Sequence, residues 1–545
     1  MMEIEIIDQT QNQNKNYNRK IQLNMPFHAP ERTLLSVLQE NQVYLDAPCA
    51  GNGSCGKCRV RFLENTPEPT EKDKRLLTGT EIAANIRLAC TAVIKEDCKI
   101  ELIDGIQQIQ TIDTNVKDDQ DKTDDEKVKH AVDQIATQMQ SDTGYGIAID
   151  IGTTTLAMSL ILLDAKSTER TVVTSVNHQR IYGADVLSRI QAANDGKGAA
   201  LQESIRKDLN QMMDELLEQT NTSADAVKKI AIAGNTTMCH LLLGYSCEKL
   251  GVSPFIPEDI SLQEKSFAEV FGNHRMCAEV TILPGISAFI GADIVAGIYA
   301  YDMQKAECSQ MLLDIGTNGE MVIGNKNGFV VTSAAAGPVF EGAGLSCGVA
   351  GVPGAISHLH INMEKEKTFQ CEYETIGNVP PIGICGSGVI DAVAELIKLG
   401  IVDENGAMRD EWFEDGFSIA EDQVYISQRD IREIQMGKSA IRSGIETLLE
   451  EYEKQTAKKP ERIFLAGGFG CFMDVYNAVK IGLFPESFLT KQVIAAGNAA
   501  LKGAERFLMD TDAKEQVQAI VSNAKEQNLA LHAAFQERYL EYMFF

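Results

Sequence analysis

The sequence predicts an α+β module, a charged flexible linker, and a larger α/β domain built as a duplicated pair of halves. Three observations carry this. A glycine-rich loop at 48–59, P-C-A-G-N-G-S-C-G-K-C-R, gathers three cysteines among short strand-like runs. Residues 107–143 then lose aromatic side chains and gather charge, as in K-D-D-Q-D-K-T-D-D-E-K-V-K at 117–129, so they cannot bury enough apolar surface to offset the entropy of ordering. Finally, D-I-G-T occurs twice, at 150–153 and 314–317, roughly 160 residues apart, the mark of an internal duplication. The expected limits are 1–104 for the first module, 105–144 for the linker and 145–545 for the large domain. Its halves span about 145–305 and 306–510, and 511–545 forms a helical tail.

At 545 residues the chain exceeds what one core supports. A net charge of −27 with no segregated basic patch argues against nucleic acid and against an anionic membrane surface as partners. The first ten residues, M-M-E-I-E-I-I-D-Q-T, lack the pattern of a secretory signal. The apolar run 286–300 is interrupted by Asp293 and falls short of the roughly 20 residues a bilayer needs. The thirteen cysteines are an odd number, mostly scattered singly, which reads as reduced thiols in a cytoplasmic protein.

In the first module, 3–8 and 20–24 read as strands, 33–41 as a helix with Leu34, Leu35 and Leu38 on one face, and 59–63, 87–94 and 99–103 as further strands. Cys49 precedes Cys55 by five intervening residues, two separate Cys55 from Cys58, and thirty-one lead to Cys90. That spacing is close to the plant-type pattern for a [2Fe-2S] cluster, with one residue more in the first gap. Gly51, Gly53 and Gly56 allow backbone N–H groups to approach a negatively charged cluster. Structural zinc is disfavoured because it takes paired C-x2-C knuckles and the chain has one. Cys98 is an alternative to Cys90, read here as a core thiol. On these residues the first module resembles a ferredoxin domain of β-grasp fold, with Cys49, Cys55, Cys58 and Cys90 as its cluster ligands.

In the large domain, G-I-A-I-D-I-G-T-T-T-L-A-M-S at 146–159 is a strand, a tight turn and a second strand, and M-L-L-D-I-G-T-N-G-E-M-V-I at 311–323 repeats it. Gly152 and Gly316 permit close backbone approach. The hydroxyls of Thr153, Thr154 and Thr317, with Asn318 beside them, can donate to phosphate oxygens, and Asp150 and Asp314 can hold Mg2+ through water. Further glycine turns supply candidate nucleotide walls: 335–344 with Gly337 and Glu341, 384–390 with Gly386, Ser387 and Gly388, and 464–470 with Gly467 and Gly468. The first half has its own counterpart at 230–237, I-A-I-A-G-N-T-T. Asp185 is read either as a Mg2+ ligand or water-orienting group, or as the N-cap of a helix at 186–190. Helices are expected at 201–219 and 426–452. The G-K-S at 437–439 lacks the preceding strand and glycine of a P-loop, and Met473 breaks a dinucleotide fingerprint begun by Gly468 and Gly470. His358 and His360 alternate along a strand with no third metal ligand in view.

The order of phosphate hairpin, helices, second hairpin and late G-G turn resembles the actin-like ATPase fold, with its ribonuclease-H-like halves, shared by actin, sugar kinases and acetate kinase. In that family the late G-G turn, here Gly467 and Gly468, contacts adenosine. A ferredoxin module joined to such an ATPase resembles, over nearly the whole chain, the reductive activators of corrinoid proteins. The resemblance rests on the cluster loop, the paired D-I-G-T, N-H-Q-R-I-Y-G-A-D-V-L-S-R-I at 177–190 and F-L-A-G-G-F-G at 464–470. It implies one-electron reduction of a Co(II) corrinoid to Co(I), driven by Mg2+ and ATP. It also implies a corrinoid protein of a methyltransferase system and a cellular low-potential electron donor as partners, with a homodimer as a candidate assembly. Plant-type clusters lie near about −400 mV, and each 59 mV of uphill one-electron transfer costs about tenfold, so an energy input is needed. The short distance from linker to Asp150 implies that a middle domain found in some activators is missing or reduced. Alternatives are an activator of a dehydratase or reductase and a small-molecule kinase with an appended redox module.

Overall fold

The computed structural model describes residues 2–8, 17–23, 32–40, 43, 45, 47, 51, 53, 56–103, 144–164, 170–365, 368–420, 424–468 and 473–545. The expected linker lies outside them except for Gly144.

The N-terminal module is a five-stranded sheet in the order Tyr17–Leu23, Met2–Asp8, Cys98–Leu102, Arg59–Glu64, Ile86–Leu88. Leu34, Leu35 and Leu38 of the helix Leu34–Glu40 are buried with Ile4, Ile6, Val60, Phe62 and Ile100, so its apolar stripe belongs to the sheet's core. The strand expected at 87–94 ends at Leu88. There the Ala89 N–H donates to the Cys58 carbonyl at 2.8 Å and the Leu35 N–H takes the Ala89 carbonyl at 2.9 Å, so these bonds turn the chain toward Cys90 instead of continuing the ladder.

Each half of the large domain has a six-stranded sheet with the same plan. In the first half an antiparallel meander, Tyr145–Ile151, Thr155–Leu162, Arg170–Val176, is joined in parallel by Val227–Gly234, with Glu279–Ile282 and Gln263–Ser266 beyond. In the second half Gln310–Ile315, Gly319–Asn325 and Gly328–Ala334 form the meander, joined in parallel by Arg462–Ala466 and then Gln492–Gly497. The central strands read as near-continuous apolar runs because both faces are covered. The halves meet through Ala292–Ala300 and Ala499–Met509, two helices whose residues pack in one core with both sheets. Their backbones approach so closely that a Cβ at Gly503 would fall 2.1 Å from the Ala296 carbonyl oxygen.

The tail is not wholly helical. Between the helices Ala513–Ser522 and Ala533–Glu541, the strand Ala524–Glu526 pairs in parallel with 329–331 and covers an otherwise open sheet edge. G-K-S at 437–439 lies inside the helix Gln428–Thr456. Lys438, fully buried, donates to the carbonyls of Tyr542, at 2.7 Å, and Phe544, while Gln435 donates to that of Met543 at 2.7 Å. Burial first, then Arg442, pushes the Lys438 ammonium down to about 7. Lys438→Ala would leave those carbonyls without their donor, at a cost of about 1–3 kcal/mol per group. The expected outcome is early cleavage within 533–545 under limited proteolysis, with the rest of the domain intact.

Candidate nucleotide cleft and cluster loop

Both D-I-G-T turns arise where the first meander strand of a half reaches its end and must reverse. The Gly152 N–H donates to the Thr155 carbonyl at 3.1 Å, and the Gly316 N–H to the Asn318 carbonyl at 2.8 Å. Because the halves share a plan and face each other, the two turns meet across a cleft of about 310 Å³. Its lining brings together Asp150, Gly152, Thr153, Thr154, Asp314, Gly316, Thr317, Asn318, Glu341, Gly386, Ser387, Gly467 and Gly468. Three expected residues are absent from that lining. Gly337 precedes the short turn Pro338–Glu341, and Gly388 lets its helix lie against a strand, since a Cβ there would meet the Ile356 carbonyl oxygen at 2.2 Å. Asp185 is the N-cap of Val186–Ala192, accepting from the Ser188 N–H at 2.8 Å, which is the helix-cap alternative of the sequence reading.

The stretch 177–190 braces the first turn from behind. Asn177 donates to the Gly152 carbonyl at 2.9 Å, and fully buried Arg189 donates to the Thr153 carbonyl at 2.6 Å. Desolvation draws the Arg189 guanidinium down to about 9. Asn235, in the first half's own glycine turn, donates to the Thr153 hydroxyl at 3.0 Å. None of these roles follows from spacing, because each contact joins distant segments.

Two cleft carboxylates were not singled out as site residues from the sequence: Asp293, in the first turn of Ala292–Ala300, and Glu320, opposite Asp314 in the meander. The helix Ala499–Met509 begins at the same place, and its cap Asn498 donates to Asp150 at 2.8 Å. In the sequence Asp293 is a polar break in an apolar run, and its place in the first turn of a helix is the signal that points to the site. Burial pushes Asp150 up to about 7, with Asn498 opposing and Asp293 adding to the rise. Burial lifts Asp293 to about 6. Burial, then Asp293, Asp150 and Glu341, lift Asp314 to about 8. Glu320 is raised well above the usual range by burial and by Asp293 and Asp314. Arg170 and Lys502 also line the cleft, but Arg170 pairs with Glu505 at 2.9 Å and Lys502 donates to the Ala496 carbonyl at 2.7 Å.

In the N-terminal module, Cys49 and Cys55 lie outside the described residues. Cys58 and Cys90 are both buried in the module's core and joined through the Ala89-to-Cys58 hydrogen bond. Gly51, Gly53 and Gly56 have φ of 86°, 65° and 69°, the left-handed region that side chains avoid. A Cβ on Gly51 would sit 3.9 Å from that of Cys90, so Gly51 lies against this cysteine. Buried Asp73 supports the site by accepting from the Leu88 N–H at 2.9 Å. Cys98 faces inward on its strand, and burial pushes its thiol up to about 12. His358 and His360 pair with Asp391 and Glu395, at 3.2 and 3.4 Å.

Comparison with known proteins follows this division. A 2Fe-2S iron-sulfur cluster binding domain matches residues 18–95, the RACo middle region matches 145–306, and the C-terminal domain of RACo, the ASKHA domain, matches 309–545. The expectation of a missing middle domain is thereby corrected: the first half of the large domain is that region. The chain is 28% identical to the corrinoid activation enzyme RamQ of Eubacterium limosum, over 91% of this chain and 93% of that protein. It is 27% identical to the [Co(II) methylated amine-specific corrinoid protein] reductase of Methanosarcina barkeri, over 70% and 72%. A solved reductive activator for a corrinoid, iron-sulfur protein superposes with a TM-score of 0.66 at 25% identity, covering 100% of this chain and 98% of that one.

The raised carboxyl values set a pH dependence. At these carboxyls the folded chain holds protons that the unfolded chain has released, so their contribution to stability falls as pH rises from about 4 through about 8 and then levels off. Asp314→Asn removes one such group. Without nucleotide or divalent cation, it is expected to raise the thermal midpoint by about 3 °C more at pH 8 than at pH 5, as read by calorimetry.

Proposed function

We propose that this chain, which belongs to the reductive activators of corrinoid proteins, reduces a Co(II) corrinoid to Co(I) by one electron at the expense of ATP. The observation that carries the reading is the full-length match in which a cluster module and a two-lobed ATPase share one chain. The proposed divisions are 1–104, 105–144 and 145–545.

Cys49, Cys55, Cys58 and Cys90 are proposed to hold a [2Fe-2S] cluster, and buried Cys58 and Cys90 beside an N–H-bearing glycine loop fit that donor set. Such a cluster, when bound, supplies a one-electron carrier replenished by a cellular low-potential donor. In the cleft, the D-I-G-T turns offer N–H and hydroxyl donors to phosphate, and Gly467 and Gly468 line it beside the second turn, a Cβ on Gly467 falling 3.1 Å from an Asp314 carboxylate oxygen. Five carboxylates there oppose a polyanionic nucleotide, and the two lining cations are already engaged by protein groups. A divalent cation fits this donor set because it would let Asp150 and Asp314 ionise while screening phosphate. Asn177, Arg189 and Asn235 hold the first turn in register for phosphate, so positioning and charge stabilisation carry the chemistry without a side-chain nucleophile. Closure of the two halves about their paired helices would change the face offered to the docked corrinoid protein. Among the described residues, no helix is long and apolar enough to cross a membrane.

The test mixes reduced protein, Mg2+, ATP and a Co(II) corrinoid protein without oxygen and follows cobalt absorbance. ATP-dependent appearance of Co(I) is expected, and phosphorylation of a small metabolite in its place would favour a kinase. Cys58→Ser is expected to abolish cobalt reduction while nucleotide affinity stays within about twofold, measured by calorimetric titration. Chelating Mg2+ with EDTA should weaken nucleotide binding by more than about tenfold, since the phosphate charge is then unscreened and Asp150 and Asp314 have no cation to share with it.

A further inference from the structure

Glu341 occupies a position that neither the duplication nor the nucleotide reading requires. A single oxygen, Oε2, accepts from the Thr154 hydroxyl at 3.0 Å and from the Thr317 hydroxyl at 2.7 Å, one from each half. Its other oxygen lies against the second turn, where a Cβ on Gly316 would be 3.2 Å from Oε1. One carboxylate therefore ties the two D-I-G-T turns together, using hydroxyls that a nucleotide phosphate would also seek.

The segment carrying Glu341 also reaches the cluster module. It begins at Gly337, whose φ of 74° favours glycine, and returns to the cleft at Ala350 and Gly351. Between these points the Leu345 carbonyl accepts from Lys57 Nζ at 3.5 Å, and Lys57 lies between Gly56 and Cys58 in the cluster loop. The charge of Lys57 also acts on Cys347, which lies in the same segment. The segment is folded tightly on itself: a Cβ on Gly348 would fall 2.0 Å from the Gly342 carbonyl oxygen. A shift at Glu341 is thus carried to Leu345 as a unit instead of being absorbed in between.

We propose that Glu341 is a positioning residue that competes with nucleotide phosphate for the Thr154 and Thr317 hydroxyls, and that its displacement moves the 337–351 segment against the cluster loop. This inference rests on the nucleotide reading of the cleft. It makes Glu341 the mechanical link between phosphate at the paired turns and the position of the electron carrier, and it gives that residue no part in contacting the reacting phosphate.

Two variants test it, with readouts that need no corrinoid partner. Glu341→Ala removes the competitor, and Glu341→Gln keeps an accepting oxygen without the charge. Affinity for Mg-ATP, measured by calorimetric titration, is expected to rise about tenfold in Glu341→Ala, with Glu341→Gln between it and the parent, because a charged hydrogen bond no longer has to be broken. In the parent, Mg-ATP should change amide hydrogen exchange in peptides covering 342–349 and 56–62. In Glu341→Ala both peptides should exchange alike with and without nucleotide. A fall in affinity in Glu341→Ala would make Glu341 an ordinary nucleotide ligand and overturn the proposal. Retention of the parent's exchange response would do the same. If the parent itself binds no nucleotide, the proposed function fails and this inference with it, whereas parent binding with either contrary variant result overturns this inference alone.

Discussion

Crowding of carboxylates at the junction of two duplicated halves is the constraint on which the rest of this structure depends. Asp150 and Asp293 come from one half, Asp314, Glu320 and Glu341 from the other, and all face one cleft. Burial is the main cause that raises their affinity for protons; neighbouring carboxylates add to it at Asp150, Asp314 and Glu320, whereas at Glu341 the threonine hydroxyls, Arg180 and Arg189 oppose it. Such a set is costly as it stands and becomes favourable only when positive charge enters. The fold tolerates it by surrounding the carboxylates with aligned donors: the Asn498 amide on Asp150, the threonine hydroxyls on Glu341, and the Ile294 N–H on Asp293.

Two features make that cleft adjustable. The helices Ala292–Ala300 and Ala499–Met509 cross at a glycine and alanine contact, with the Arg506 guanidinium donating to the Tyr299 carbonyl at 2.7 Å and the Tyr299 hydroxyl donating to Asp510 at 2.7 Å. Both helices begin at the cleft, where Asp293 and Asn498 line it. The second feature is the segment 337–351, which touches the cleft at one end and the cluster loop in its middle. The cluster module and the cleft are therefore separate in sequence yet touch the same segment.

Much of this was legible in the sequence. Cysteine spacing marked the first module, and Cys58 and Cys90 do lie together in its core. The repeated D-I-G-T marked the halves, because a tight turn at the end of a buried strand needs the same residues wherever it recurs. What remained hidden was made of contacts between distant segments. Asp293 is a break in an apolar run in the sequence, whereas in the fold its helix starts at the cleft; G-K-S at 437–439 lacks the frame of a phosphate loop, whereas in the fold Lys438 holds the tail. Asp185 shows the reverse case: its capping box with Ser188 was readable locally, and the fold left it there.

The sequence by itself determined the parts: a cysteine loop with cluster spacing, a charged stretch unable to pack, and two phosphate-type turns whose glycines and threonines are dictated by backbone conformation and hydrogen-bonding capacity. Only the tertiary structure decided which acidic groups share one cleft, that Arg189 and Asn177 brace the first turn, and that Glu341 ties the two turns together. The reason is physical. Local sequence fixes what a turn can offer, whereas electrostatic coupling and desolvation depend on distances between chain segments more than a hundred residues apart, as Thr154 and Glu341 are, 187 residues from one another.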